Sequence, residues 1–273
     1  MNTSTLTRLL FGIMMIAIAA IGIIGGGFSP IWRPVPQAIM ARELLAYLST
    51  LISLMAGVGL LMKRTTAPSA FILSAVFLIW LILFKGPFIV QAPLVEGTYQ
   101  SIGENLVWVT AAWLLYLCSA DTTSKWNFGW LSGPVARQAA YLLYSLALIA
   151  FGFSHFVYLE LTAPLVPRWL PAPVFWAYLT GAIYLLSGTA VLSSVAARAG
   201  AFLAAVQITL ITLLVWGPMV LSADLTPMHW QETVVSTAIM ISSWVIAASL
   251  GRRRWIVVSG SRQGTAARRL PFP

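Results

Sequence analysis

The sequence predicts an all-α integral membrane protein whose eight transmembrane helices form two parallel four-helix repeats, with both termini cytoplasmic. Three observations lead to this prediction. Charged residues are scarce, eight long stretches carry no charge at all, and several short motifs occur twice in the same order.

Composition defines the class of protein. Of the 273 residues, 59% are apolar and 8% are charged, with 16 basic and 7 acidic side chains. Soluble globular domains carry about a quarter charged residues, so too few are present here to cover a water-facing surface. The composition excludes a soluble enzyme, a disordered protein and a nucleic-acid binder, despite the net charge of +9. The single cysteine, Cys118, excludes an internal disulfide, a CxxC redox pair and a cysteine-rich metal site.

The eight uncharged stretches can each cross, or nearly cross, a hydrocarbon core of about 30 Å at roughly 1.5 Å per residue. They lack the alternation of a barrel strand, and a backbone in hydrocarbon must satisfy its own hydrogen bonds, which predicts helices. The first stretch is interpreted as a span rather than a signal peptide, because it is too long and is followed by no small-x-small cleavage site. The predicted spans are Leu6–Ile24, Gln37–Met62, Pro68–Val90, Ile102–Cys118, Arg137–Leu159, Pro173–Val195, Arg198–Leu221 and Glu232–Leu250.

Basic residues in the short loops indicate the orientation, because lysine and arginine concentrate on the cytoplasmic side. Twelve of the 16 basic residues fall on the side that carries both termini, six of them in the tail 251–273. The remaining four are Arg33, Arg42, Lys85 and Arg168. We therefore expect a multi-pass protein of a bacterial-type plasma (inner) membrane, with its basic tail close to anionic lipid head groups.

Repeated motifs indicate an internal duplication. The last proline of each W-x-P-x-P motif is expected to open a helix, and the tryptophans are expected at head-group depth. Since four helices are an even number, the second copy enters the membrane from the same side as the first, which makes the repeat parallel. The matched motifs are Gly27-Phe28-Ser29 with Gly152-Phe153-Ser154; Trp32, Pro34 and Pro36 with Trp169, Pro171 and Pro173; Lys85-Gly86-Pro87 with Trp216-Gly217-Pro218; and Glu104 with Glu232.

The duplication divides the chain into four segments. Residues 1–120 form the first four-helix repeat and 137–250 the second. Residues 121–136 form a cytoplasmic interfacial linker, in which Trp126 and Trp130 are four apart and are expected to anchor one helix face at the membrane surface. Residues 251–273 form the basic cytoplasmic tail.

Three stretches of the second half carry a resemblance to a known family: Gly152-Phe153-Ser154-His155, the run 163–173 and the run 176–181. They resemble the DoxX-like family of four-helix membrane proteins, and the first half resembles it more weakly. The resemblance implies a compact four-helix unit, here doubled in tandem. It also implies membership of a family whose namesake is a membrane subunit of a thiosulfate:quinone oxidoreductase. Such a resemblance transfers fold better than function.

Polar residues inside or at the edge of the membrane are candidates for function, because placing them there is costly. The first and fourth helices of a small bundle are usually neighbours, which would bring His155 near His229 and Glu232 at the extracytoplasmic rim. No catalytic residue and no metal ligand set is predicted. The candidate ligand-binding residues are His155, Glu160, Trp169, Tyr184, Gln207, Asp224, His229 and Glu232.

Three interpretations of these residues stay open. Two histidines can hold a haem or another metal ion, but haem is disfavoured because His229 follows Pro227 in a short loop rather than lying inside a helix. A histidine and a carboxylate beside an apolar pocket can hydrogen-bond a quinone and exchange its protons. Alternatively, His155 and Glu232 only hold helix ends together. Glu43 is expected to pair with Lys85 or Arg33 for structural reasons.

The sequence thus favours an accessory subunit that binds a redox partner or a lipid-soluble ligand such as quinone at the extracytoplasmic rim of the second repeat. No cysteine pair, flavin motif or nucleotide loop is present, so an oxidoreductase role requires a partner protein. One alternative is a scaffold or chaperone-like membrane protein that acts by helix packing. A small-solute transporter is disfavoured, because mid-membrane polarity reduces to Gln207 and a few hydroxyls.

Overall fold

Eight long helices run back and forth through the computed structural model, which describes residues 3–120, 125–222 and 225–250. Each is long and apolar enough to cross a membrane, which confirms that part of the sequence prediction. We label them α1 to α8 in chain order: α1 Thr3–Gly25, α2 Arg42–Leu61, α3 Thr66–Gln91, α4 Glu96–Ser119, α5 Pro134–Val157, α6 Pro173–Leu192, α7 Ala197–Val220 and α8 Pro227–Leu250.

Three helix starts differ from the predicted ones by five or more residues. The helix α2 begins at Arg42 instead of Gln37, α4 begins at Glu96 instead of Ile102, and α8 begins at Pro227 instead of Glu232. The prediction used charge and proline to trim the spans. In α4 and α8, however, acidic residues lie inside the helix because other helices, rather than lipid, surround them. His229 accordingly lies in the first turn of α8 and not in a loop.

Each long helix packs antiparallel to the next one in the chain. Close approach is supported by small residues: a Cβ atom at Gly57 would lie 2.9 Å from the Gly12 carbonyl oxygen, and one at Gly181 would lie 3.1 Å from the Gly152 carbonyl oxygen. The helices α4 and α8 form the centre of the bundle and contact each other. In addition, α4 packs against α5, and α8 packs against α1, so the fourth helix of each half contacts the first helix of the other half.

The buried positions of the two halves recur at a fixed spacing. In α2 and α6 they lie 131 residues apart, and the left-handed residues that precede these helices, Ala41 and Ala172, keep the same spacing. In α3 and α7, π-helical turns at Leu81–Lys85 and Thr212–Trp216 are also 131 apart, and each leads into Gly86-Pro87 or Gly217-Pro218. In α1 and α5 the spacing is 133, as in the buried pairs Phe11 and Tyr144, Met15 and Leu148, and Ile18 and Phe151.

The loops after α1 and α5 do not follow this spacing. Phe28 and Ser29 lie beyond the end of α1, whereas Phe153 and Ser154 lie inside α5. Pro173 opens α6 as predicted, but the prediction that Pro36 opens a helix is wrong, because α2 begins at Arg42. The repeated motif in these segments is therefore a match of residue types between two segments that fold differently.

The two tryptophans of the W-x-P-x-P motifs lie in opposite surroundings. Trp169 is 68% exposed on the outside of the bundle, whereas Trp32 ends a short 3-10 helix, Pro30–Trp32, and is fully buried. Trp32 therefore packs inside the bundle and Trp169 lies on its surface, while their head-group depth stays a prediction. Pro34 and Pro36 follow it in the non-helical segment that leads to α2. In the second half, the Pro171 carbonyl accepts a hydrogen bond from the Trp176 indole at 2.9 Å.

The described part of the linker packs on α3 and α4. The Tyr116 hydroxyl donates to the Trp126 carbonyl at 2.8 Å and accepts from the Phe128 amide at 3.1 Å. The Phe71 ring contacts the rings of Trp126 and Phe128, while Trp130 is exposed. Trp126 therefore contributes to packing and Trp130 faces outward. The rest of the linker, 121–124, and the tail 251–273 lie outside the described residues.

Candidate functional site

A cavity of about 390 Å³ lies among the helices of the second half, and one face of α4 closes it. This volume is within the range of about 300–1,000 Å³ that is typical of ligand pockets. The lining is overwhelmingly apolar. Its few polar side chains are Gln100 and Glu104 from α4, Ser154 and His155 from α5, Thr162 from the short helix Leu159–Thr162 that follows α5, Thr180 and Tyr184 from α6, Gln207 from α7, and Glu232 and Ser236 from α8.

Leucines on the outer surface of α7 also line the cavity. Leu203, Leu210 and Leu214 are each between 41% and 52% exposed, yet all three belong to the cavity wall. The cavity therefore reaches the face of the bundle that is directed towards lipid.

Tyr184, Gln207 and His155 are polar residues that line the cavity. The Gln207 amide nitrogen donates to the Thr180 carbonyl at 3.1 Å, and its Oε1 has no hydrogen-bond partner in the described part of the chain. The Tyr184 ring is buried beside Gln207 and lies 5.6 Å from the His155 ring, measured between centroids. An apolar wall thus carries an amide, a phenol and an imidazole close together, with the Tyr184 side chain next to that of Gln207.

The hydrogen bond of His155 fixes the role of each ring nitrogen. His155 Nδ1 lies 2.9 Å from the Phe151 carbonyl oxygen, which can only accept. In the neutral ring, Nδ1 therefore carries the hydrogen and Nε2 is left as an acceptor. Together with Gln207 Oε1, this makes two acceptor atoms on residues that line the cavity.

Lys85 and Glu104 form an ion pair at the end of the cavity where α4 and α8 begin. Lys85 Nζ lies 3.7 Å from Glu104 Oε2 and donates to the Ser101 carbonyl at 2.8 Å. It also lies 5.3 Å from the centre of the Trp108 ring, a cation–π distance. Lys85 is 1% exposed, while Glu104 lines the cavity near Glu232. A buried cation is thus held by one carboxylate, with a second carboxylate beside it.

The structure brings together half of the residues predicted for the site. His155, Tyr184, Gln207 and Glu232 line the cavity. Three other described residues of the predicted site, Glu160, Trp169 and His229, do not line it. Glu160 and Trp169 are exposed on the outside of the bundle. Asp224 lies outside the described residues.

Sequence reasoning missed the contribution of the first half. It treated Glu104 as a repeat landmark and paired Lys85 with Glu43, whereas Lys85 pairs with Glu104 and Glu43 is exposed. Arg33 donates instead to the Phe28 carbonyl at 3.1 Å. A lysine at the end of a long apolar run, followed 19 residues later by a glutamate in the next span, was the available hint.

Comparison of the chain with protein-family models, with curated proteins and with solved structures gives no match. The resemblance to the DoxX-like family therefore stays a prediction. The interpretation of the site depends on the residues that line it.

Proposed function

We propose that this multi-pass membrane protein binds a lipid-soluble ligand of the quinone class in the cavity of its second half, as an accessory subunit for a redox partner. The observation that carries the proposal is the cavity itself. Its apolar wall opens between outward-facing leucines and holds His155, Tyr184 and Gln207 inside.

The form of the cavity favours a hydrophobic ligand with few polar atoms. An apolar wall stabilises a ring and an isoprenoid tail through burial, at about 25 cal/mol for each Å² removed from water. A few placed polar groups fix the orientation of such a ligand. A quinone carbonyl can accept a hydrogen bond from the Tyr184 phenol, and a quinol hydroxyl can donate to the Gln207 amide oxygen or to the acceptor nitrogen of His155.

The accessory role follows from what the sequence offers for electron transfer. It has no cysteine pair, flavin motif or nucleotide loop, so a partner must exchange the electrons. The resemblance to the DoxX-like family supports the same reading, because the namesake of that family is a membrane subunit of a quinone-linked enzyme. The partner is a membrane-bound or extracytoplasmic redox protein.

The proposed arrangement is a tandem duplication with both termini in the cytoplasm of a bacterial-type plasma membrane. The spacing of 131 and 133 residues between buried positions supports the duplication, and the distribution of basic residues supports the orientation. In this orientation Glu104 and Glu232 lie towards the extracytoplasmic side.

The native cysteine tests the orientation. Cys118 is exposed at the end of α4, on the same side as the start of α1. A membrane-impermeant maleimide is expected to label it in inverted vesicles and to leave it unlabelled in intact spheroplasts. Ser222→Cys in a Cys118→Ser background is the matched control, because Ser222 is exposed on the other side and is expected to show the reverse pattern. Labelling of Cys118 in intact spheroplasts would contradict the orientation.

The quinone content of the purified protein tests the ligand. Solvent extraction followed by chromatography is expected to yield close to one quinone or quinol for each wild-type chain, well above an unrelated membrane protein purified in the same way. His155→Ala is expected to lower that content several-fold, and His229→Ala is the matched control, since it removes the other histidine of the chain. Quinone at the level of the unrelated protein would refute the proposed function.

A further inference from the structure

The Trp32 side chain fills, in the first half, the place that the cavity has in the second. Its indole nitrogen donates to the Ser53 hydroxyl at 3.2 Å. Its ring stacks on Phe77, with centroids 5.1 Å apart, and meets the edge of Trp80 at 4.9 Å. Trp32 is thus a flat, two-ring group with one polar hydrogen, enclosed between α2 and α3.

The three residues that hold Trp32 have counterparts in the cavity wall. Ser53 corresponds to Tyr184 at the spacing of 131 residues that relates α2 to α6, and this spacing also relates α3 to α7. Phe77 corresponds to Ile208, and Trp80 corresponds to Ile211. All three counterparts line the cavity.

The walls differ in size and in polarity. Ile208 and Ile211 are smaller than Phe77 and Trp80, whereas Tyr184 is larger than its counterpart Ser53. Gln207 stands where the first half has the apolar Val76, which packs against the core. At the spacing of 133 residues, His155 stands where the first half has Gly22. The second half therefore carries additional polar side chains, His155, Tyr184 and Gln207, around the position where the first half holds an indole.

We propose that the cavity binds the ring of its ligand in the place equivalent to the Trp32 indole. The ligand is a flat aromatic head group of one or two fused rings that carries a hydroxyl or N–H hydrogen, as the reduced, quinol form of a quinone does. This inference rests on the proposed function and specifies the chemical form of the ligand.

The available acceptors support the reduced form. Nε2 of a neutral His155 is an acceptor on a residue that lines the cavity, and the enclosed Gln207 Oε1, beside the Tyr184 side chain, is a second one. A quinol hydroxyl donates to such atoms, whereas the carbonyl of an oxidised quinone cannot. A site built to pair a hydroxyl discriminates against the analogue without one, because its own polar atoms would stay unpaired.

Three bicyclic probes separate ring binding from donor recognition: 1-naphthol, which donates a hydrogen; 1,4-naphthoquinone, which only accepts; and naphthalene, which does neither. Equilibrium dialysis of purified protein in detergent, corrected against protein-free micelles, measures saturable binding. We expect one site for each chain, with 1-naphthol bound at least tenfold more tightly than the other two. We expect Gln207→Leu to reduce that preference to threefold or less while naphthalene binding persists.

Filling the cavity with the residues of the first half tests the placement. The double variant Ile208→Phe/Ile211→Trp is expected to weaken 1-naphthol binding at least tenfold. Leu213→Phe is the matched control, because Leu213 is 60% exposed on α7 and does not line the cavity, and its affinity is expected to equal that of the wild type. Conversely, Trp32→Ala is expected to open a second site for 1-naphthol, as deletion of a large side chain from an apolar core does for small aromatics.

The outcomes distinguish the two proposals. If the wild type binds none of the three probes and contains no quinone, both the proposed function and the inference fail. If quinone is present, or a probe binds at one site, but the double variant binds as the wild type does, the inference alone fails. Equal affinity for 1-naphthol and naphthalene also overturns the inference. A Trp32→Ala protein that does not fold leaves the double variant and the Gln207→Leu variant to decide.

Discussion

The ion pair between Lys85 and Glu104 gives the sharpest prediction about stability. Its atoms are 3.7 Å apart, so Coulomb's law gives an attraction of about 4 kcal/mol at an effective dielectric constant of about 20. Lys85→Met leaves the Glu104 carboxylate without its cation, and Glu104→Gln leaves a buried cation without its carboxylate. Removing one partner of a buried pair costs about 3–5 kcal/mol. We expect each single variant near the lower limit, because Lys85 keeps the Ser101 carbonyl and Glu104 is partly open to the cavity.

The double variant Lys85→Met/Glu104→Gln decides whether the pair acts as a unit. Because no charge is left unpaired, we expect it to lose no more stability than either single variant, which corresponds to a coupling free energy of about 3 kcal/mol. Equilibrium unfolding in mixed detergent and SDS micelles, followed by tryptophan fluorescence, measures all four proteins. Glu160→Gln is the control, because that glutamate is exposed and its loss is expected to change nothing. Additive effects in the double variant would refute the reasoning.

Two further predictions concern helix packing and use the same unfolding measurement. Gly57→Ala is expected to destabilise the fold by about 1–3 kcal/mol, because its Cβ would lie 2.9 Å from the Gly12 carbonyl oxygen, whereas Gly25→Ala meets no atom within 4 Å and is expected to be neutral. Equal stabilities of the two alanine variants would contradict the close approach of α1 and α2. Arg8→Met is expected to cost about 1–3 kcal/mol, since the guanidinium donates to the Leu60 carbonyl, and Arg8→Lys is expected to recover part of that loss. An unchanged unfolding midpoint for Arg8→Met would exclude this role.

The sequence was sufficient to predict the eight long helices, because a hydrocarbon core restricts which segments of a chain can cross it. Length and apolar content identified eight spans, and Pro173 marked the start of α6 correctly. The ends of the helices were harder to predict. In α4 and α8 the helix includes Glu104 and Glu232 because both line the cavity inside the bundle, and sequence alone does not distinguish protein from lipid as the neighbour.

Trp32 illustrates the same difficulty within the fold. A tryptophan beside prolines has an apolar ring and one polar hydrogen, which suits a membrane interface and a protein interior equally well. Only the tertiary structure places the Ser53 hydroxyl within reach of its indole nitrogen. The sequence cannot separate Trp32 from Trp169, although one is buried and the other is exposed.

The candidate site was predictable where a polar residue stands alone in an apolar helix. Gln207 was identified on that ground, and it lines the cavity. Glu104 was missed as a site residue because its contribution depends on α4 of the first half closing a cavity of the second. That contact between α4 and α5 arises from the order in which the helices pack, and spacing along the chain does not encode it.

Photoaffinity labelling with an azido-substituted quinone tests most directly whether the cavity binds a quinone. After irradiation in proteoliposomes and digestion, we expect label in peptides from α6 and α7, around Tyr184 and Gln207, and we expect excess natural quinone to prevent it. Label distributed over the outward faces of α2 and α3, or unaffected by competing quinone, would contradict the proposed function.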